Sequence, residues 1–123
     1  MDKLDAIIQD RIGRERGNTF TPGNRRVALC YPSPYRAGMS SLGFQQILGV
    51  LRDVGIAAER AFLPDDVPAW RAARKELRTY ETGTRVSRFP LLAVSLAYEP
   101  EVLGLIDFLE MCGIPPLRRD RDE

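Results

Sequence analysis

Residues 91–98, LLAVSLAY, are apolar at nearly every position, and no other stretch limits the fold as much. A strand with one wet face alternates apolar and polar side chains, whereas a strand covered on both faces has no need to. A run of this kind is therefore expected of a parallel strand with helices above and below it. Such a strand calls for neighbours on both flanks, because a long apolar edge invites pairing with another chain.

The rest of the chain supplies elements of the matching kind. Arg26 to Tyr31, RVALCY, is a short apolar run bounded by turn residues and reads as a buried strand. A weaker strand, interrupted by charges, fits Ala57 to Leu63, AAERAFL. Between them Phe44, Ile47, Leu48, Leu51 and Val54 recur at helical spacing, with Ser40 or Ser41 as cap and Gly55 at the C-terminal end. Asp65 or Asp66 can cap a further helix with Pro68 in its first turn and Trp70, Ala73 and Leu77 on its inner side. TYETGTRVSRF carries no helical stripe and reads as a loop. Pro100 opens a last helix, with Val102, Leu105, Ile106 and Leu109 as its stripe and Gly113 and Pro115 at its end. LDAIIQDRI at 4–12 has helical spacing and leads through a polar loop into the first strand.

Strand and helix alternating at these lengths imply right-handed parallel crossovers and an α/β class. Three strands with one reversal give the order 2-1-3, a partial flavodoxin-like or Rossmann-type parallel sheet with flanking helices. The expected divisions are an N-terminal helix and loop over 1–25, a partial α/β domain over 26–117 and a charged tail over 118–123. In that order, 91–98 falls at an edge. Either the sheet continues in residues this chain does not carry, or a second copy completes it; a piece of a longer protein is the favoured expectation.

Composition narrows the function classes. The chain has 123 residues and is 44% hydrophobic, enough for a packed core and too much for a disordered chain. A net charge of +1 gives no global pull toward nucleic acid or membrane. No stretch approaches the ~18 continuous apolar residues of a membrane span, and MDKLDAIIQDRIGRERG is unlike a secretory signal; a cytoplasmic location is expected. Histidine is absent, which removes the usual general base and the commonest metal ligand. Two cysteines, Cys30 and Cys112, lie in apolar surroundings. They are too few for a zinc site or an iron–sulfur cluster and read as buried, inert thiols.

Ligands of such sheets sit beyond the carboxyl ends of the strands. There the chain places YPSPYRAGMSSLG on one side and SLAYEP on the other. Candidate ligand contacts are Pro32, Tyr35, Gly38, Met39, Ser40 and Ser41 from the first and Ser95, Tyr98 and Glu99 from the second. Amides at Gly38, Met39 and Ser40 could hold a phosphate or carboxamide. The competing reading is a strand–helix connection whose serines cap and whose glycines turn, since GMSSLG is neither a phosphate loop nor GxGxxG. Glu99 could be a helix-dipole partner, Asp65 and Asp66 are better explained as caps, and Trp70 as core. No nucleophile, base and oxyanion hole assemble, so catalysis by this chain alone is not expected.

RVALCYPSPYRAGMSSLGFQQIL, then AAERAFLP, then LLAVSLAYEPEVLGLIDFLEMCGIP resemble the N-terminal region of a family of bacterial radical SAM proteins, in which a cobalamin-binding-like domain precedes an iron–sulfur barrel. A tyrosine–glycine–methionine–serine block, a Glu-Arg-x-Phe-x-Pro block and a Ser-x-x-Tyr-Glu block occur in order, and the resemblance runs from about residue 11 to the end. It implies a flavodoxin-like fold and, in the full family member, a [4Fe–4S] cluster on a Cys-x3-Cys-x2-Cys motif with S-adenosylmethionine. This sequence lacks that motif, the glycine pair expected after a fourth strand, and the Asp-x-His-x-x-Gly motif that supplies cobalt's lower imidazole. The resemblance implies an accessory domain that positions substrate or a cofactor, for which cobalamin is the candidate. Its implied partner is a radical SAM barrel in the same or a separate chain. From the residues alone, a stand-alone phosphate- or nucleotide-binding module and an interaction protein self-associating through 91–98 stay open.

Overall fold

A computed structural model describes residues 3–15, 25–96 and 101–115; Tyr98, Glu99 and the tail at 118–123 lie outside the described residues. Strands β1 (Arg26–Pro34), β2 (Ala57–Leu63) and β3 (Leu92–Val94) form one parallel sheet in the order β2-β1-β3. Helices α1 (Lys3–Arg14), α2 (Tyr35–Met39), α3 (Leu42–Asp53), α4 (Val67–Ala72) and α5 (Glu101–Met111) surround it. This is the α/β class and the 2-1-3 order that the sequence implies, a partial flavodoxin-like fold.

Successive residues of β1 point to opposite faces. Leu29 and Tyr31 join Phe44 and Leu48 of α3 on one side, while Ala28 and Cys30 join Trp70 of α4 and Phe108 and Met111 of α5 on the other. Ile8 of α1 packs against both clusters, so α1 lies along the rim they share.

The helix ends follow the sequence closely. Ser41 caps α3 by accepting from the Phe44 amide at 3.3 Å, and Asp66 caps α4 through the Ala69 amide at 3.0 Å. Gly55, just past α3, has φ +87°, a conformation in which any Cβ is strained.

Five expectations change. β1 continues through both prolines to Pro34, with a register shift against β2 between Tyr31 and Pro34, because residues lacking an N–H are tolerated where the ladder is already broken. β3 is the edge strand that the 2-1-3 order implies, but it spans only Leu92–Val94 of the expected 91–98 and is half-buried to exposed, since no strand among the described residues lies on its outer flank. α4 ends at Ala72; Ala73 is exposed, and Leu77 is buried from the following loop. On α5 the buried side is Glu101, Phe108, Met111 and the adjoining Cys112, while Val102 and Ile106 face solvent. The reason is Gly104: a Cβ there would stand 2.3 Å from the Pro32 carbonyl oxygen, so that side of the helix alone can approach β1 so closely. Likewise Ile47 and Val54 of the expected α3 stripe are exposed, whereas Phe44 and Leu48 are buried.

The two sheet edges differ. Along β2, the Tyr80 amide donates to the Arg60 carbonyl at 2.8 Å and the Arg60 amide donates to Glu81 Oε1 at 2.7 Å, so segment 79–81 closes that edge. Along β3, the Leu91 carbonyl accepts from Ala28 and the Ser95 amide donates to Cys30. Alternate residues of a parallel strand bond to opposite sides, so the peptide groups of Leu92 and Val94 point outward.

Replacing Gly104 by alanine is expected to cost about 1–3 kcal/mol through overpacking against Pro32. Gly49→Ala in the middle of α3, where nothing lies within 4 Å of the new methyl, is expected to stabilise by roughly 0.5–1 kcal/mol. Urea denaturation of both variants distinguishes a backbone contact from a merely permissive glycine.

Candidate functional site

The carboxyl ends of the strands gather the candidate residues, and most have defined partners. Tyr35 begins α2, stacks on Tyr80 with centroids 5.2 Å apart and meets Phe62 edge-on at 5.4 Å. Its hydroxyl donates to Glu15 Oε2 at 2.5 Å, and burial followed by that bond pushes its pKa up to about 12. Gly38 is buried against the Phe62 ring, where a Cβ would stand 2.3 Å from Cε1. Met39 Sδ lies 3.6 Å from Arg60 Nη1.

Gly38 and Met39 belong to α2, a single short turn of helix. The Ser40 amide donates to the Arg36 carbonyl, the Ser41 amide to the Gly38 carbonyl, and Ser40 Oγ to the Arg36 carbonyl at 2.7 Å. Pro32 supports Gly104, and the Ser95 amide joins β3 to β1. The loop is thus a connection in which serines cap and a glycine admits an aromatic ring. Tyr98 and Glu99 lie outside the described residues.

Large apolar side chains are among the groups left accessible at this end. α3 and α5 both start at the carboxyl side of the sheet, and their first turns expose Leu42 (75%) and Leu103 (71%), with Val102 beside Leu103.

Beneath the site lies an ion-pair network that the sequence pattern does not reveal. Arg60 on β2 is buried, and its guanidinium donates to Glu15 Oε1 at 2.7 Å and to Glu81 Oε2 at 2.7 Å. Arg52 of α3 donates to the same Glu81 oxygen at 2.9 Å and to the Ala58 carbonyl. On the opposite face Glu59 is buried at 1% exposure and is held by Arg26 at 2.8 Å and by Thr79 at 2.7 Å. Charged groups leave water only when matched in this way. The legible signal was the pair of charges interrupting AAERAFL: a strand buried at every position must supply partners for both.

Neither thiol suits a cluster. Cys30 on β1 is buried, which pushes its pKa up to about 12, and burial also raises that of Cys112. Iron–sulfur ligation requires exposed, readily ionised thiolates in larger number. Among the described residues no group of three or more His, Cys, Asp or Glu side chains could hold a metal ion, and no helix is long and apolar enough to cross a membrane.

The sheet order and the flanking helices define a partial flavodoxin-like α/β domain. Residues 43–123 match the family model described as radical SAM proteins, N-terminal. The match covers more than half of the chain, and the chain belongs to that family. The Glu-Arg-x-Phe-x-Pro and Ser-x-x-Tyr-Glu blocks fall within the matched residues; the tyrosine–glycine–methionine–serine block precedes them. No curated protein and no solved structure matches the chain.

The network sets an acid limit on stability. Burial alone would raise the Glu15 pKa, but hydrogen bonds from Arg60 and Tyr35 more than reverse this and hold it below the ordinary 4.5. A carboxyl depressed in the folded state stabilises above its unfolded pKa, and that contribution is lost as pH falls through the folded value. Thermal melts are expected to drop as pH falls below about 4.5. Glu15→Gln should be less stable at neutral pH and lose less on acidification. Glu81→Ala, which removes the carboxylate that Arg60 and Arg52 share, is expected to cost about 3–5 kcal/mol at neutral pH.

Proposed function

We propose that this chain positions a cofactor or substrate for the radical chemistry of its family and performs no bond-breaking step itself. The supporting observation is the exposed apolar rim of Leu42, Val102 and Leu103 at the carboxyl end of the sheet, where α/β folds bind ligands. A flat, largely apolar body suits that rim. A corrin meets this description, and the resemblance to cobalamin-binding-like domains supports it. With no histidine in the chain, any corrin there takes no imidazole from this polypeptide; when bound, the cofactor supplies alkyl-transfer or radical chemistry through its metal. The residues' own contribution is orientation and exclusion of water. Leu42 and Leu103 offer apolar area from opposite faces of the sheet, and the Gly104–Pro32 contact fixes one relative to the other. The iron–sulfur cluster and S-adenosylmethionine of the family belong elsewhere in such a protein, because the two thiols do not fit a cluster.

A second reading rests on the β3 edge. The flanking helices also expose apolar side chains, Ile47 and Val50 on α3, Val54 at its end, and Val102 and Ile106 on α5. The opposite flanks of these helices carry ion pairs, Arg52 with Glu81 and Asp107 with Arg71. The edge is built to receive a further strand, from the barrel-bearing part of a radical SAM protein or from a second copy. The isolated chain is then expected to self-associate in sedimentation, and Val94→Lys to return it to monomer. A wild-type chain that stays monomeric at high concentration sinks the edge reading.

For the rim, titration with hydroxocobalamin followed by visible absorbance should saturate. Leu42→Asp combined with Leu103→Asp should weaken binding at least tenfold with little change in melting temperature, since both side chains are exposed. Saturable binding indifferent to that double variant, or none at all, rejects a corrin on this surface.

A further inference from the structure

Two cavities flank Arg11, and their sizes assign them different roles. One lies at the carboxyl end of β2 between Ile8, Phe62, Trp70, Leu77 and Tyr80 and has a volume of about 60 Å³. That is room for a few waters and no more. The other lies between the second half of α1 and the start of α2, just beyond the carboxyl end of β1, with a volume of about 520 Å³, within the range of small-molecule sites.

The larger cavity is lined by Arg11, Arg14, Arg36, Asp10, Tyr35 and Ile7, so three guanidiniums face one carboxylate. Arg11 is fixed in place. It donates to the Tyr80 hydroxyl at 2.9 Å, is paired with Asp65 from the far side, and lies over the Tyr35 ring at 4.8 Å. Arg14 is held along α1 by Asp10 at 3.2 Å. Arg36 is exposed and, among the described residues, has no side-chain hydrogen bond or ion pair. Its backbone is anchored by the two bonds its carbonyl accepts from Ser40. An unneutralised guanidinium beside two oriented ones, from two different helices, provides the forked donors that oxyanions require.

We propose that this cavity binds the phosphate of a small phosphorylated molecule, with Arg36 and Arg14 on the phosphate oxygens and Arg11 and Tyr35 forming the floor. With Arg11 paired to Asp65 and Arg14 to Asp10, Arg36 carries the one uncompensated charge of the lining, and three guanidiniums on two helices offer more forked donors than a single carboxylate can accept from. With a net charge of +1 the chain has no extended basic face, so the ligand is a small molecule and not a nucleic acid. The proposal is independent of the corrin reading, because it uses α1 and α2 and leaves Leu42 and Leu103 aside.

Calorimetric titration of the full chain with adenosine 5′-monophosphate, adenosine and inorganic phosphate tests it. Expected are saturable binding of the monophosphate and of phosphate, none of adenosine, and affinity that falls as salt is raised. Loss of one charge-assisted bond corresponds to about tenfold, so Arg36→Gln should weaken the monophosphate about tenfold and Arg14→Gln with Arg36→Gln should remove it. Arg74→Gln, on the opposite side of the domain's helices, should bind as wild type. Adenosine binding as tightly as its monophosphate, a double variant binding as wild type, citrate outcompeting phosphate, or a single-stranded oligonucleotide binding far more tightly than the monophosphate would each overturn the assignment. Because hydroxocobalamin binding is read on other residues, failure here leaves that reading standing, and the reverse also holds.

Discussion

The fold depends on one buried guanidinium. Arg60 sits in the middle of β2 with its side chain removed from water, and Glu15 and Glu81 bracket it. Through Glu15 it ties the end of α1 to the sheet, and through Glu81 it ties down the loop that closes the β2 edge. Arg52 brings α3 to the same carboxylate. Four separate parts of the chain therefore meet on two carboxylates. In a low-dielectric interior such an arrangement tolerates no partial formation, because each unmatched charge is costly. The aromatic group of Tyr35, Phe62 and Tyr80 packs around it, so the apolar and ionic parts of this rim form together.

Much of this architecture was legible in the residues. β2 runs over the seven positions marked by AAERAFL, and Ser41, Asp66 and Gly55 stand where capping chemistry places them. Periodicity failed where tertiary contact overrode it. In α5 an apolar count favoured Val102 and Ile106, yet a glycine selected the inward side, because only there can two backbones touch. β3 was misread in extent for a related reason: hydrophobicity reports the surroundings a strand is suited to, not the neighbours present in this chain. Long-range pairing of Glu15, Arg60 and Glu81 across 45 and 21 residues leaves no local pattern to read.

The candidate site was legible in location more than in membership. The YPSPYRAGMSSLG segment does reach the carboxyl end of the sheet, but Tyr35, Gly38 and Met39 are engaged with Glu15, Phe62 and Arg60 there. Ser40 is exposed at that end, and so are Leu42 and Leu103 at two helix starts and Arg36 on α2. Sequence spacing assigned chemistry to conspicuous glycines and serines. Burial adds residues with nothing conspicuous about them except that they are left uncovered.

The unequal edges of the sheet have a colloidal consequence. A sheet open on both sides can add copies indefinitely and grow into a fibre. Here one side is sealed by Tyr80 and Glu81, so strand addition can proceed in a single direction. Two copies meeting through that side exhaust each other's capacity and stop at a pair. An edge that no strand among the described residues covers therefore carries little hazard of runaway polymerisation.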